Sequence, residues 1–248
     1  MAIWNEPRGS EQGFGATPRT SGSLAGGVTF DAGLRKHMLS IYNYMASGVL
    51  LTGLVAMLTA SSGAVYAIMG SGLGIVVMLA PLAIVFAMSF GVNRFSTSTL
   101  QALFWGFAVL MGLSLSTIFL VYTGGSIAAT FFATAGAFAG LSLYGYTTQR
   151  SLSGIGTFLF MGVIGLLIAS VINIFLKSPA LYWAISGLGV LIFAGLTAYD
   201  TQKLKEQYRY VGGTEFAGKA VVLGALTLYL DFINMFLFLL RFMGSNRN

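Results

Sequence analysis

Two acidic residues lie where a chain rich in apolar residues is expected to cross a lipid bilayer. Asp200 ends the run Gly195–Asp200, and Asp231 lies between Leu230 and Phe232. A carboxylate at membrane depth costs about 2.5–3.5 kcal/mol on insertion scales, so such a residue usually faces a partner or a water-filled path. Carboxylates exchange protons and supply the hard oxygen ligands that calcium prefers. The functional chemistry is therefore expected at these two aspartates.

The composition indicates a membrane protein. Of the 248 residues, 56% are hydrophobic and 8% are charged, whereas soluble domains average about 25% charged residues. A membrane span needs about 20 mostly apolar residues. Seven segments meet this requirement: residues 38–60, 71–92, 101–122, 126–146, 155–176, 180–201 and 221–242. The sequence predicts an all-α integral membrane protein with seven transmembrane helices and no separate soluble catalytic domain.

The ends of the chain differ from this seven-helix domain at residues 38–242. Residues 1–37 are rich in Gly and Ser, contain Pro7 and Pro18, and show no sustained periodicity. This composition predicts a disordered cytoplasmic tail. The tail lacks the apolar core of a signal peptide. Residues 243–248 are interpreted as a short C-terminal tail.

The Lys and Arg residues predict the orientation of the chain. If the N-terminus is cytoplasmic, all of the 13 Lys and Arg residues except Lys177, Arg241 and Arg247 fall on the cytoplasmic side. Short cytoplasmic loops carry an excess of Lys and Arg, so the N-terminus is predicted inside and the C-terminus outside. The net charge of +6 then indicates contact with anionic lipid headgroups rather than nucleic acid. With no cysteine in the chain, disulfides and thiol chemistry are excluded.

The last span carries a narrow polar stripe. At about 100° per residue, one side of this helix holds Thr227, Asp231, Asn234 and Arg241. A helix that is apolar except for one stripe is typical of a bundle centre, with the stripe facing a polar cavity. Tyr229, on the opposite face, is interpreted as packing. The alternative role for Asp231 is a structural hydrogen bond between helices.

Spacing of small residues suggests one helix contact. Gly136 and Gly140 form a small-xxx-small pair in span four, and Ala133 and Ala137 flank the same face. Such pairs allow close helix packing in membranes. This face is therefore predicted to lie against another helix.

The two aspartates are predicted to form a pH sensor. Span six runs toward the cytoplasm and span seven starts from it, so Asp200 and Asp231 can lie together. Adjacent carboxyls at low dielectric share a proton and titrate in coupled steps. Two charges a few ångströms apart repel by about 4 kcal/mol at an effective dielectric near 20, which corresponds to about 3 pH units. The alternative is that Asp200 ends span six at the membrane surface, where Lys203 and Lys205 indicate water.

Three runs of residues carry a family resemblance. They are Ala198–Gln202, Leu226–Phe236 with Leu239–Arg241 beyond it, and Gly112–Ser116 in span three. These runs resemble the Bax inhibitor family, also called the transmembrane Bax inhibitor motif family, over roughly residues 35–242. The resemblance implies that the other six helices wrap the last one. It also implies a pH-sensitive calcium leak, regulated by a di-aspartyl pair that would be Asp200 and Asp231.

Further expectations follow from the same resemblance. In the closed state, an arginine of an early helix is expected to act as a latch by pairing with the two aspartates. The candidate is Arg94, whose position is equally typical of a charged residue in a cytoplasmic loop. The chain lacks the lysine-rich C-terminal tail of animal members, which favours a bacterial inner membrane. Calcium is expected as the transported ion, in transient contact with Asp200 and Asp231, and no cofactor is expected.

Two other classes of function remain open. Two aspartates on adjacent helices also describe an intramembrane aspartyl protease, but that family places its second aspartate in a Gly-x-Gly-Asp setting, which Asp231 lacks. A serine protease needs a base, and His37, the only histidine, lies beside Arg35 and Lys36. The chain is therefore expected not to be an enzyme. The remaining alternative, again from the resemblance, is a regulator without transport activity that acts on a membrane-bound protease complex or a stress response.

Overall fold

Helices form almost all of the described structure. The computed structural model describes the backbone of residues 22–247 and the side chains of residues 32–247. The helices are α1 (Gly22–Ser61), α2 (Ala64–Gly70), α3 (Leu73–Gly91), α4 (Thr97–Leu115), α5 (Ile118–Val121), α6 (Gly124–Thr147), α7 (Ser153–Leu176), α8 (Pro179–Val211) and α9 (Ala217–Met243). No β-strand occurs in these ranges.

Seven helical segments are long and apolar enough to cross a membrane, which confirms the predicted number. They are Ala32–Ser61, Leu73–Gly91, Thr97–Val121, Gly124–Thr147, Ser153–Leu176, Pro179–Val211 and Ala217–Met243. The third segment joins α4 and α5, while α2 is a single short helix between the first two spans. The chain is therefore a multi-pass membrane protein.

Polar residues at the span boundaries start the helices. Ser96 caps α4 by accepting a hydrogen bond from the Thr99 amide, and Thr123 caps α6 in the same way through the Ser126 amide. Ser178 caps α8, whose first residue is Pro179. These side chains satisfy backbone amides that have no partner within the helix. Proline suits the first helical position because its amide has no hydrogen to donate.

The last helix occupies the centre of the bundle, as predicted. In α9, 67% of an apolar stretch of 18 residues is buried inside the protein. The corresponding share in the other six spans is 11–33%. α9 packs mainly against α1, α4, α6 and α8, while α3 packs on α4 and α7 packs on α8. Four spans thus form most of its direct surroundings, and two lie further out.

Successive spans cross the bundle in alternating directions. The N-terminal end of the first span therefore lies at the same end of the bundle as the connections at residues 92–96, 148–152 and 212–216. We call this the basic end, because it holds most of the described cations: Arg35, Lys36, Arg94, Arg150, Lys203, Lys205, Arg209 and Lys219. Lys177, Arg241 and Arg247 lie at the other end.

Two helices extend beyond the predicted spans at the basic end. α1 begins at Gly22, so residues 22–37 are helical rather than disordered, and residues 1–21 of the predicted tail lie outside the described residues. α8 continues to Val211, ten residues past the predicted end at 201. The extensions contact each other, since the buried ring of His37 lies 5.1 Å from the Tyr208 ring. This contact contributes to the burial of His37.

The predicted small-residue contact on α6 is wrong. Gly136 and Gly140 are exposed, and a Cβ at either position would meet no atom within 4 Å. The close approach occurs instead at Gly145, where a Cβ would collide with the backbone of Ala198 in α8. This glycine allows α6 and α8 to pack backbone against backbone.

The residues after α9 fold back onto the chain. The Ser245 carbonyl accepts a hydrogen bond of 3.1 Å from the Thr123 amide, and the Arg247 amide donates one of 2.8 Å to the Val121 carbonyl. The C-terminal segment is thus tied to the connection between α5 and α6, while residue 248 lies outside the described residues.

Candidate functional site

Asp200 and Asp231 meet inside the bundle. Asp200 is partly buried on α8, and Asp231, near the middle of α9, is only 5% exposed. Their carboxyl groups lie close enough to interact with each other. Because α8 continues for eleven residues after Asp200, Asp200 does not terminate this helix.

A hydrogen bond between the two carboxyl groups requires a proton. Two ionised carboxylates are both acceptors, so a hydrogen bond between them exists only when one group is protonated. Within the described residues, the Oδ2 atom of Asp231 is buried without any hydrogen-bond partner. Leaving a buried acceptor unsatisfied costs about 1–3 kcal/mol. The structural hydrogen-bond anchor and the titrating role both stay predictions for Asp231.

A cation lies close to the pair. Lys203, one turn after Asp200 on α8, interacts favourably with the Asp200 carboxylate and lies 5.8 Å from the centre of the Tyr199 ring. Arg94 is exposed in the turn between α3 and α4, where its amide bonds to the Gly91 carbonyl. Its predicted role as a latch stays a prediction.

The other members of the polar stripe bond mainly within α9. Thr227 donates to the Leu223 carbonyl at 3.1 Å, and Asn234 donates to the Leu230 carbonyl at 2.8 Å. Arg241 is exposed, with its guanidinium 5.5 Å from the centre of the Phe238 ring. Asp231 is therefore the stripe residue whose side chain reaches another span.

Gln202 fixes the part of α8 that carries Asp200. Its Oε1 accepts a hydrogen bond of 2.7 Å from the Leu152 amide, and its Nε2 donates one of 2.9 Å to the Arg150 carbonyl. Nearby, Thr201 shares a hydrogen bond of 3.2 Å with Ser142 of α6. In the sequence, Gln202 stands out only as the last residue of the run Ala198–Gln202. Its position beside lysines suggested water, whereas the side chain is buried.

Tight contacts hold the same stretch of α8 on its other sides. The Tyr199 ring lies against Gly156 of α7, where a Cβ would collide with it. Leu204 and Ile41 converge on Gly224 of α9, at 2.9 and 3.1 Å from the position a Cβ would take. Glycines therefore set the distances between α8 and its neighbours around Asp200.

Tyr229 packs as predicted and also forms a hydrogen bond that the sequence did not indicate. Its ring is fully buried against Phe104 and Phe107 of α4. Its hydroxyl lies 2.7 Å from the Thr52 hydroxyl of α1, which in turn donates to the Ala108 carbonyl of α4 at 2.7 Å. Since Thr52 donates to Ala108, Tyr229 is the donor to Thr52. The face of α9 that carries Tyr229 is thus fixed to two spans.

The site offers two carboxylates to a cation. Among residues 32–247, no group of three or more His, Asp or Glu residues lies close enough to hold a metal ion. Calcium takes six to eight oxygen ligands. Two carboxylates supply at most four of them, so the pair suits a passing hydrated ion better than a tightly bound one.

Known proteins resemble almost the entire chain. The family model described as "Inhibitor of apoptosis-promoting Bax1" matches residues 34–248. The inner membrane protein YbhL of Escherichia coli K12 is 47% identical over 220 residues, which cover 87% of this chain and 94% of YbhL. RP147 of Rickettsia prowazekii is 49% identical over 221 residues, 89% of this chain and 94% of its own. A protein of Caulobacter vibrioides is 50% identical over 232 residues, 89% and 92% of the two chains.

Proposed function

The chain belongs to the Bax inhibitor family, and from this membership we propose that it is a pH-sensitive calcium leak controlled by Asp200 and Asp231. The observation that carries the proposal is the buried contact between the two carboxyl groups, with Oδ2 of Asp231 unpartnered. The inner-membrane name of the relative YbhL supports a bacterial inner membrane as the location. The N-terminus and the basic end then face the cytoplasm.

Protonation sets the state of the pair. With one proton, the two carboxyls carry a single negative charge and are bridged by a hydrogen bond, which keeps α8 and α9 together. Losing that proton removes the bridge and places two negative charges a few ångströms apart, with a repulsion of about 4 kcal/mol at an effective dielectric near 20. The doubly ionised pair then favours separation of α8 and α9 near Asp200.

Calcium competes with the proton for the same oxygens. The doubly ionised pair offers hard oxygen ligands to a divalent cation, while the protonated pair offers fewer. Calcium therefore favours the deprotonated state, and more calcium shifts the transition to lower pH. Arg94 is proposed to re-close the doubly ionised pair by supplying a positive charge, which would require the turn at residues 92–96 to move.

Calcium flux into liposomes tests the proposal. The purified protein is reconstituted around a calcium-sensitive dye, and entry is measured from pH 6 to pH 8. We expect a pH-dependent leak with a midpoint between about pH 6 and 8, because the repulsion corresponds to about 3 pH units. Asp200→Asn and Asp231→Asn should each flatten this profile. Glu206→Gln, an exposed acid on the same helix, is the control and should keep the wild-type profile.

Other results would contradict the proposal. If both asparagine variants keep the wild-type pH profile, the aspartates are not the sensor. Liposomes that stay tight to calcium across this range would favour a regulator of a membrane-bound protease. Cleavage of a membrane substrate that is lost in Asp231→Asn would favour an intramembrane protease, whereas we expect no cleavage.

A further inference from the structure

A groove runs between α1 and α6 along one side of the bundle. Both helices pack on α9, but they do not pack closely on each other within the described residues. At the basic end, the groove has a volume of about 660 Å³ and extends along α1 from Arg35 to Leu50. Phe138 and Ala139 of α6 line its other wall, and Phe232 of α9 lies at its floor.

The length of this α1–α6 groove matches one leaflet of a bilayer. The helix rises about 22 Å from Arg35 to Leu50. A bilayer is about 40–45 Å thick with its headgroup regions, so one leaflet spans about 20 Å. The part of the groove from Arg35 to Leu50 therefore fits one phospholipid of a single leaflet, with its headgroup at the Arg35 end.

Charge is confined to one end of the groove. Among residues 32–247, Arg35 is the one charged residue that lines the groove, and none of the described lining residues is acidic. Lys205 lies beside the same end, since its Nζ donates to the Tyr146 carbonyl at 2.7 Å and Tyr146 lines the groove. A second groove, with a volume of about 530 Å³, continues along α1 and α6 and shares Val49, Leu50, Phe131 and Phe232 with the first; none of its described lining residues is charged. The cationic end is thus specific to the leaflet at the basic end.

We propose that the α1–α6 groove binds one anionic phospholipid of this leaflet, with its phosphate at Arg35 and an acyl chain along α1 and α6 to Phe232. Apolar walls stabilise the chain, and Arg35, with Lys205 nearby, attracts the negative headgroup. The lipid would end one residue from Asp231, at the surface of the central helix. This inference does not depend on calcium transport, because its test measures bound lipid.

Native mass spectrometry of the full-length protein tests the proposal. Protein equilibrated with equal amounts of phosphatidylglycerol and phosphatidylcholine should retain one phosphatidylglycerol preferentially. Arg35→Gln should reduce that preference about fivefold, the effect expected for one basic residue near anionic lipid. Arg94→Gln is the matched control, since Arg94 is an exposed arginine at the same end that does not line the groove. Ala139→Phe should fill the groove and reduce retention of both lipids.

Three outcomes would overturn the proposal. The wild-type protein could retain the two lipids equally. Arg35→Gln and Arg94→Gln could reduce the preference to the same extent, which would indicate only a general attraction to the basic end. If the wild-type protein forms a dimer and Ala139→Phe dissociates it, a second copy of the chain, rather than a lipid, fills the groove. Arg35→Gln changes an exposed side chain, so this variant should fold and keep the test decisive.

Discussion

Thr52 holds three spans together through a single hydroxyl group. It accepts a hydrogen bond from Tyr229 of α9 and donates one to the Ala108 carbonyl of α4, and all of these atoms are buried. A buried polar group that loses its partner costs more than a hydrogen bond that is removed together with both of its polar groups. The two ends of the Thr52–Tyr229 bond should therefore respond differently to substitution.

Thr52→Val should destabilise the protein more than Tyr229→Phe. The valine variant leaves the Tyr229 hydroxyl fully buried without a partner, a cost of about 1–3 kcal/mol, whereas Tyr229→Phe removes the hydroxyl itself and costs about 1 kcal/mol. Thermal unfolding in detergent measures the difference, and each kcal/mol should lower the melting temperature by about 2–4 °C.

The control for this comparison is Thr59→Val. Thr59 lies on the same helix, but its hydroxyl bonds only to the Val55 carbonyl of α1 itself. This substitution should have a smaller effect than Thr52→Val. Equal melting temperatures for the two valine variants would show that the contact between α1 and α9 does not contribute to stability.

Close packing of α6 on α8 depends on one glycine of α6 rather than on its small-xxx-small pair. Gly145→Ala should lower the melting temperature, because the new Cβ would meet the backbone of Ala198, which cannot rotate away. Such overpacking costs about 1–3 kcal/mol. Thermal unfolding of the variant in detergent checks this prediction.

Gly136→Ala is the matched control on the same helix. A Cβ at Gly136 meets no atom within 4 Å, so this variant should unfold at the wild-type temperature or slightly above it, since alanine favours helix more than glycine does. A loss of stability in Gly136→Ala but not in Gly145→Ala would contradict the packing of α6 described above.

Hydropathy predicts spans well because lipid requires each span to be mostly apolar over about 20 residues. The seven spans and the central place of α9 follow from apolar length and from the stripe around Asp231. The extensions of α1 before residue 38 and of α8 to Val211 do not follow, because both contain polar residues whose helical state depends on contacts such as His37 with Tyr208. Hydropathy reports contact with lipid, not contact between helices.

The candidate site was predictable only in part, for a related reason. A carboxylate in an apolar helix is conspicuous, so Asp231 and Asp200 are visible in the sequence. The roles of Gln202 and Thr52 depend on which backbone groups lie opposite them, and spacing along one helix carries no information on that. The small residues at Gly136 and Gly140 match a packing motif but face outward, because their pattern is equally compatible with a helix surface toward lipid.

The bundle as a whole is asymmetric in charge along its axis. Within the described residues, most cations lie at the basic end, and three lie at the other: Lys177, Arg241 and Arg247. The extensions of α1 and α8 beyond the predicted spans also lie at the basic end. Both features favour placing this end in the cytoplasm, where it would meet anionic lipid headgroups.

Reporter fusions should therefore show the N-terminus in the cytoplasm and the C-terminus outside. A fluorescent protein that matures only in the cytoplasm should give a signal at the N-terminus and when inserted at Gly213, between α8 and α9. Alkaline phosphatase, active only outside the inner membrane, should be active after Asn248 and inactive at Gly213. The odd number of spans requires the two ends to lie on opposite sides.

A cytoplasmic C-terminus together with a cytoplasmic N-terminus would mean that one of the seven segments does not cross the membrane. Asp200 and Asp231 would still meet in such a protein, because both lie on the last two helices, but the basic end would no longer identify the side from which protons reach them.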